Sequence, residues 1–171
     1  MIETERLILR HWSIEDVPWV AGIYGDPETM KWFGSGVTFS PEQLTESLKH
    51  VMEEYAYAGL GNHAVVEKES LAVIGHCGVH RGSDGKEGEA DWLIARDRWS
   101  RGYATEAAVA VISQAFREAN LPSICAVARR ENLASIEVMR KLRMSFAGEW
   151  NRDGSACVIY RVAREDFGRH N

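Results

Sequence analysis

The stretch that most constrains this chain is EADWLIARDRWSRGYATEAAVAVISQAFREANLPSICAVA, residues 89–128. Its two ends, EADWLIA and SICAVA, are apolar runs of strand length. Between them, from about Ala104 to Ala119, Ala104, Ala108, Val111, Ile112 and Ala115 fall on one helical face. Asn120 and Pro122 stop the helix. A helix with one apolar face, set between two apolar strands, asks for a sheet to lie on. The turn before it, Trp99-Ser100-Arg101-Gly102, has two readings. It is a flexible hinge, or it is a helix start whose bare N–H groups and dipole hold an anion such as a pyrophosphate. Arg98 and Arg101 add charge to the second reading, whereas Glu106 in the first helical turn opposes it unless that side chain faces elsewhere.

The other segments supply the sheet and its cover. TERLILRHW alternates Leu7 and Leu9 with Arg6 and Arg10, the period of a strand with one wet face. Ser13 N-caps a helix to about Tyr24, with Asp16 at its third position. In SPEQLTESLKHVMEEYAYAG, Ser40 caps, Pro41 opens the helix and Gln43 completes a capping box. Leu44, Leu48, Val51, Met52 and Tyr55 form its apolar stripe, and Gly59 ends it. HAVVE, AVIGHCGVH and EADWLIA suggest an antiparallel meander, with a Gly, Ser and Asp loop at 81–88. A helix from about Leu133 to Arg143 precedes two last strands, near SFAGEW and CVIYRV, joined by the turn NRDGS. No repeat or linker divides the chain, and 171 residues of which 45% are hydrophobic match one domain, 1–171. The expected class is α/β, with a central mixed but mostly antiparallel sheet flanked by helices.

A net charge of −5 excludes the basic footprint of a nucleic-acid binder and leaves small molecules or amines as suitable partners. No run approaches the length of a membrane span, and MIETERLILR is too charged for a secretory signal, so the cytoplasm is the expected compartment. Cys77, Cys125 and Cys157 lie in separate apolar runs and read as reduced core residues. His76 and His80 share a strand face but stand about 13 Å apart, too far for one metal ion. Of the tryptophans at 12, 19, 32, 92, 99 and 150, most are core or interface by default. Trp32, in the loop MKWFGSG, is the candidate to line an acceptor pocket.

In RRENLASIEVMRKLRMSF, Asn132 sits at a helix N-cap and Ser135 one turn later, a pattern that serves as a plain cap or presents both residues to a ligand. Together, WSRGYATEA and ENLASIEVMRKLRMSFAGE resemble the cofactor loop and the Asn-x-x-Ser helix of the GNAT N-acetyltransferase superfamily. The branch resembled is the one that contains the ribosomal-protein N-terminal acetyltransferases. ETERLILR, AVIGHCGVH and FAGE extend the likeness over nearly the whole chain. The resemblance implies a GNAT-like domain that uses acetyl-CoA and no metal. Backbone from Trp99 through Ser100, Arg101, Gly102, Tyr103, Ala104 and Thr105 would wrap the pyrophosphate. Leu93 and Ile94 would pair with the pantetheine arm, and Asn132 would hold it from the other side.

Some positions depart from that pattern. Asp97 and Ser100 stand where the superfamily loop carries Gln or Arg and an earlier glycine, and Ser100 fits if its φ stays negative. Arg143 replaces a helix-ending glycine, which predicts a looser end. The superfamily's acidic tyrosine falls at Met139, so Ser135 inherits the donation of a proton to the departing thiolate. Glu89 or Asp91, alternating onto one face of the strand, is the candidate base, and the Ile94 N–H the candidate group to polarise the thioester. The expected activity is acetyl transfer to a primary amine, a peptide N-terminus or a small amine, by direct attack. The alternative is a CoA-binding module without turnover, and a homodimer is compatible with either.

Overall fold

A computed structural model describes residues 1–58, 60–82, 85–152 and 154–167. Its strands are β1 (Ile2–Glu3), β2 (Leu7–Arg10), β3 (Gly61–Glu67), β4 (Val73–Arg81), β5 (Gly88–Ile94), β6 (Ser123–Arg129), β7 (Ser145–Arg152) and β8 (Ser155–Ala163). Its helices are α1 (Val17–Tyr24), α2 (Pro27–Met30), α3 (Pro41–Ala58), α4 (Tyr103–Glu118), α5 (Leu133–Lys141) and α6 (Arg164–Phe167). The strands form one sheet in the order β1-β2-β3-β4-β5-β6-β8-β7. Every pairing is antiparallel except that of β5 with β6, so the sheet is mixed and mostly antiparallel as the element pattern predicts.

Strand alternation sends side chains to two covered faces. Leu7, Leu9, Val65, Val79 and Ile124 meet α4 and α5 through Ala107, Ala108, Val111, Ile112 and Ile136. On the opposite face Ala64, Val66, Val73 and Leu93 meet Trp12, Val20, Tyr24, Leu44 and Leu48 from the α1 and α3 side. The caps form as the sequence predicts. Ser13 and Asp16 make a reciprocal box, although the first turn, Ile14–Asp16, is 3-10. Gln43 and Ser40 bond reciprocally at the start of α3. Met52 is 38% exposed and leaves the predicted stripe, because the α3 contact narrows to Leu44, Leu48 and Val51. Gly59 and Asp153 of the NRDGS turn lie outside the described residues. Cys77, Cys125 and Cys157 are free and buried. Of the six tryptophans only Trp12 is buried, while Trp19, Trp99 and Trp150 are exposed. Among the described residues no helix is long and apolar enough to cross a membrane.

Candidate active site

The one parallel pairing among the described residues sets the site. β5 and β6 touch through Gly88 opposite Ile124 and Glu89 opposite Cys125, and then part. Ala90–Ile94 therefore has no strand on that side, and the gap is a cleft of about 780 Å³. Ala95 N–H donates to the Ile74 carbonyl at 2.8 Å, toward β4. By strand alternation the peptide groups of Ile94 point the other way, into the cleft. Its carbonyl accepts the Trp99 indole N–H at 2.7 Å, and its N–H remains directed at the opening. Leu93 lines the cleft, but its carbonyl lies over Gly75 of β4. Of the two residues expected to pair with a pantetheine arm, Ile94 alone presents its backbone.

The loop entering α4 is held before any ligand arrives. Gly102 is left-handed at φ +83, which opens the first α4 turn, and Ser100 is left-handed too, at φ +60. The condition of a negative φ at position 100 is not met, and Ser100 carries strain a glycine would not. The strain is offset by two clamps. Glu67, nearly buried at the end of β3, accepts Ser70 and Tyr103 hydroxyls at 2.6 and 2.7 Å and Arg98 Nε at 3.2 Å. Hydrogen bonds from Ser70 and Tyr103, then Arg98, hold its carboxyl below the usual range against burial. Arg6 forms the second clamp. It donates to the Arg101 carbonyl at 2.9 Å, lies over the Tyr103 ring at 4.5 Å and pairs with Glu106.

Glu106 therefore turns away from the helix start. Burial opposes its charge, but bonds from Thr4 and Arg6 outweigh it and hold its carboxyl low. Arg98 departs from expectation in the opposite sense. Its guanidinium is engaged by Glu67 and Asp97, while Arg101, next to the helix start, is exposed.

On the far wall Asn132 caps α5 by accepting the Ser135 N–H at 3.2 Å. The cap occupies its oxygen and leaves its side-chain N–H₂ to donate, so capping and ligand contact are both open to it. Ser135 and Ala134 line the cleft, as do Trp99, Ser100 and Ala104 from the loop. Met139 is fully buried and has no access. Arg143 does adopt φ +57, and the N–H groups of Met144 and Arg143 bond the carbonyls of Met139 and Arg140. The α5 end is thus closed as a glycine would close it, contrary to the looser end expected.

The third wall faces α1 and α2. Glu89 and Asp91 both line the cleft, beside Thr29, Trp32, Phe33 and Arg129. Trp32 is half-buried, and the Arg129 guanidinium reaches the carbonyls of Lys31 and Gly34 at 3.4 and 3.5 Å, strapping that loop across the opening. His76 is buried against Tyr24, whose hydroxyl meets its Nδ1 at 2.5 Å. Burial pushes the His76 pKa down and the Tyr24 pKa up, with the Asp91 charge adding to the second shift, so both stay neutral near pH 7. His80 instead points at Asp91, at 3.7 Å. Among the described residues no group of three His, Cys, Asp or Glu side chains could hold a metal ion.

A strand wall with a free peptide edge, facing a left-handed loop at a helix start, suits a long ligand with a phosphate at one end. The model for the acetyltransferase (GNAT) domain matches residues 6–145. This chain belongs to the GNAT acetyltransferase family. The uncharacterized N-acetyltransferase p20 of Bacillus licheniformis is 29% identical over 148 residues, 85% of this chain and 82% of its own. A GNAT-family acetyltransferase from Bacillus anthracis superposes with a TM-score of 0.85 at 25% identity, covering 96% of this chain and 98% of that one. RimL, a ribosomal α-N-protein acetyltransferase solved with coenzyme A, shares the fold with a TM-score of 0.82 at 12% identity, over 94% and 95% of the two chains. Family membership makes the chain an acetyl-CoA-dependent N-acetyltransferase and favours turnover over binding alone.

Reading the sequence missed the Glu67 and Arg6 clamps, the Arg129 strap and the place of Asn62 beside Asp91. The clamp contacts that reach the loop and α4 join residues 31 to 100 apart in the chain, and no local pattern links such partners.

Proposed function

We propose that residues 1–171 act as one cytoplasmic domain that moves the acetyl group of acetyl-CoA to the α-amine of a peptide or a small molecule. The carrying observation is the parting of β5 from β6 beside a clamped loop, which opens one cleft lined by the Ile94 edge, the α4 start and two carboxylates. The backbone of Trp99–Thr105 holds the pyrophosphate, the Ile94 edge pairs with the pantetheine arm and Asn132 donates from the far wall. The fit is supported by the left-handed φ at Ser100 and Gly102, the kind of backbone turn that forms anion-binding nests, and by the removal of Glu106 from the helix start.

An ammonium has no lone pair, so the site must take a proton before the nitrogen can attack. Asp91 or Glu89 is placed to accept it. As the C–N bond forms, the Ile94 N–H receives the charge growing on the thioester oxygen. As the C–S bond breaks, Ser135 donates to the thiolate, and the second proton that the acylated nitrogen sheds on becoming an amide passes to solvent, from which the Ser135 hydroxyl is restored; a thiol of pKa about 8.5 leaves readily with so weak an acid. An α-amine, pKa about 7.7–8.0, gives up its proton more easily than a lysine at about 10.4. The named activity of RimL on a protein α-amine supports the same class. A thiol-release screen over peptides, polyamines, aminoglycosides and amino acids tests the reading. Release with an α-amine is expected, and acetyl-CoA binding with no release from any amine would overturn it.

A further inference from the structure

Asn62 of β3, Gly78 of β4 and Asp91 of β5 stand in one register row across the sheet. A Cβ at position 78 would strike the Asn62 side-chain oxygen and the Gly61 carbonyl. The missing side chain lets Asn62 lie across β4 and reach the next strand but one. There its Nδ2 donates to Asp91 Oδ2 at 3.4 Å, and His80 Nε2 stands 3.7 Å from the same oxygen.

Asp91 Oδ1 and Asn62 Oδ1 have no donor, although both are shut off from water. They are two of the four such side-chain atoms among the described residues. An unpaired buried acceptor costs about 1–3 kcal/mol. The other buried carboxylates carry no such deficit: Asp16 takes Arg10 and Ser13, and Glu67 takes Ser70, Tyr103 and Arg98. The other two such atoms are ring nitrogens, of His63 and His76; the two oxygens share one row whose Asp91 end lines the cleft, and that pair of acceptors marks a place completed by a donor that comes with the substrate. The Asp91 side chain is 33% exposed and lines the cleft, so rotation about its last bond brings Oδ1 to the opening.

We propose that this row is the seat of the acceptor's ammonium group, with Asn62 as a binding residue and Asp91, rather than Glu89, as the proton acceptor. The proposal rests on the acetyl-transfer reading of the cleft. The substrate enters as a cation, one N–H accepted by Asp91 and another by the Asn62 oxygen. The N–H bond at Asp91 then breaks as an O–H bond forms on the carboxylate. The nitrogen lone pair is released toward the thioester, and His80 offers the proton a way on to solvent.

L-Alaninamide, a cation at pH 6.5, and lactamide, its neutral hydroxyl analogue, are the probes. The readout is the ¹⁵N–¹H signal of the Asn62 side-chain amide in the full chain. Alaninamide should shift that signal saturably, lactamide should not, and Asp91→Asn should abolish the response. Asn62→Leu should shift its thermal midpoint little, because removing an unpaired buried oxygen offsets the loss of the long Nδ2 bond to Asp91, yet bind alaninamide at least fivefold more weakly by calorimetry. An equal response to both probes, a response to neither, or a destabilised Asn62→Leu protein with unchanged affinity would overturn the proposal. Thiol release without an Asn62 response sinks the seat alone. An Asn62 response without thiol release from any amine sinks acetyl transfer and leaves the seat.

Discussion

The two working walls of the cleft differ in how their polar groups are satisfied. On the α4 side the buried carboxylates and the loop backbone are held: Glu67 takes three donors, Glu106 is turned into Arg6 and Thr4, and the Arg101 carbonyl accepts from Arg6. On the β5 side Asp91 and Asn62 keep buried oxygens without donors. A finished wall holds one shape for a constant partner and pays its ordering cost on folding, before the ligand arrives. An unfinished wall keeps its bonding capacity for a substrate whose charge must change during the reaction. On the proposed reading the first wall takes the donor nucleotide and the second the amine.

The largest effect should come from the unfinished wall. Asp91→Asn should lower kcat/KM for an amine about 100-fold or more with acetyl-CoA affinity within twofold, whereas Glu89→Gln should cost less than about fivefold. Steady-state kinetics paired with calorimetry reads both numbers, and equal losses in the two variants would erase the distinction between the carboxylates.

Next comes the loop itself. Gly102→Val should weaken acetyl-CoA binding about tenfold or more, because a β-branched residue resists φ +83 and its bulk stands between the backbone and the phosphates. The nearest atom to a Cβ there is Arg6 Nη2 at 3.5 Å, so space within the fold is adequate and the loss should appear in affinity more than in folding. Calorimetry beside a melting curve separates the two.

Loosening a clamp should do less. Glu67→Gln should raise the acetyl-CoA Kd about three- to fivefold without changing kcat, since it acts through Tyr103 and Arg98 rather than on the ligand. Its pH signature has a fixed sign. The folded Glu67 carboxyl lies below its unfolded value, so its stabilisation is complete above about pH 4.3 and is lost as pH falls through the folded value. The stability gap between wild type and Glu67→Gln, followed by acid unfolding, should narrow over that interval and be constant above it.

Much of this was legible in the chain. The strand, turn and helix of residues 89–119, the caps at Ser13 and Ser40 and the loop WSRGYATEA rest on local periodicity and local capping, which sequence carries directly. The left-handed Ser100 was not legible, because its tolerance depends on Arg6 and Glu67 binding the flanking loop from distant strands. Asn62 was hidden for a related reason. Its reach to Asp91 exists only once β3, β4 and β5 are in register and Gly78 leaves the space between them. The smallest expected effect follows from the same lesson: Arg143→Gly should stabilise the fold by about 0.5–1 kcal/mol by relieving a positive φ, with no change in kcat, as denaturant melts and kinetics can show.

The central claim is that this cleft takes a proton from an α-amine and acetylates it. Its most direct test compares two peptides between pH 6 and 9, one with a free N-terminus and no lysine, the other with a blocked N-terminus and one lysine. Thiol release and mass spectrometry of each peptide are followed together. Acetylation of the free N-terminus, one thiol for each acetyl group and faster than the lysine at every pH, is the predicted result. Preferential acetylation of the lysine, or thiol release without acetyl on either amine, would contradict the account.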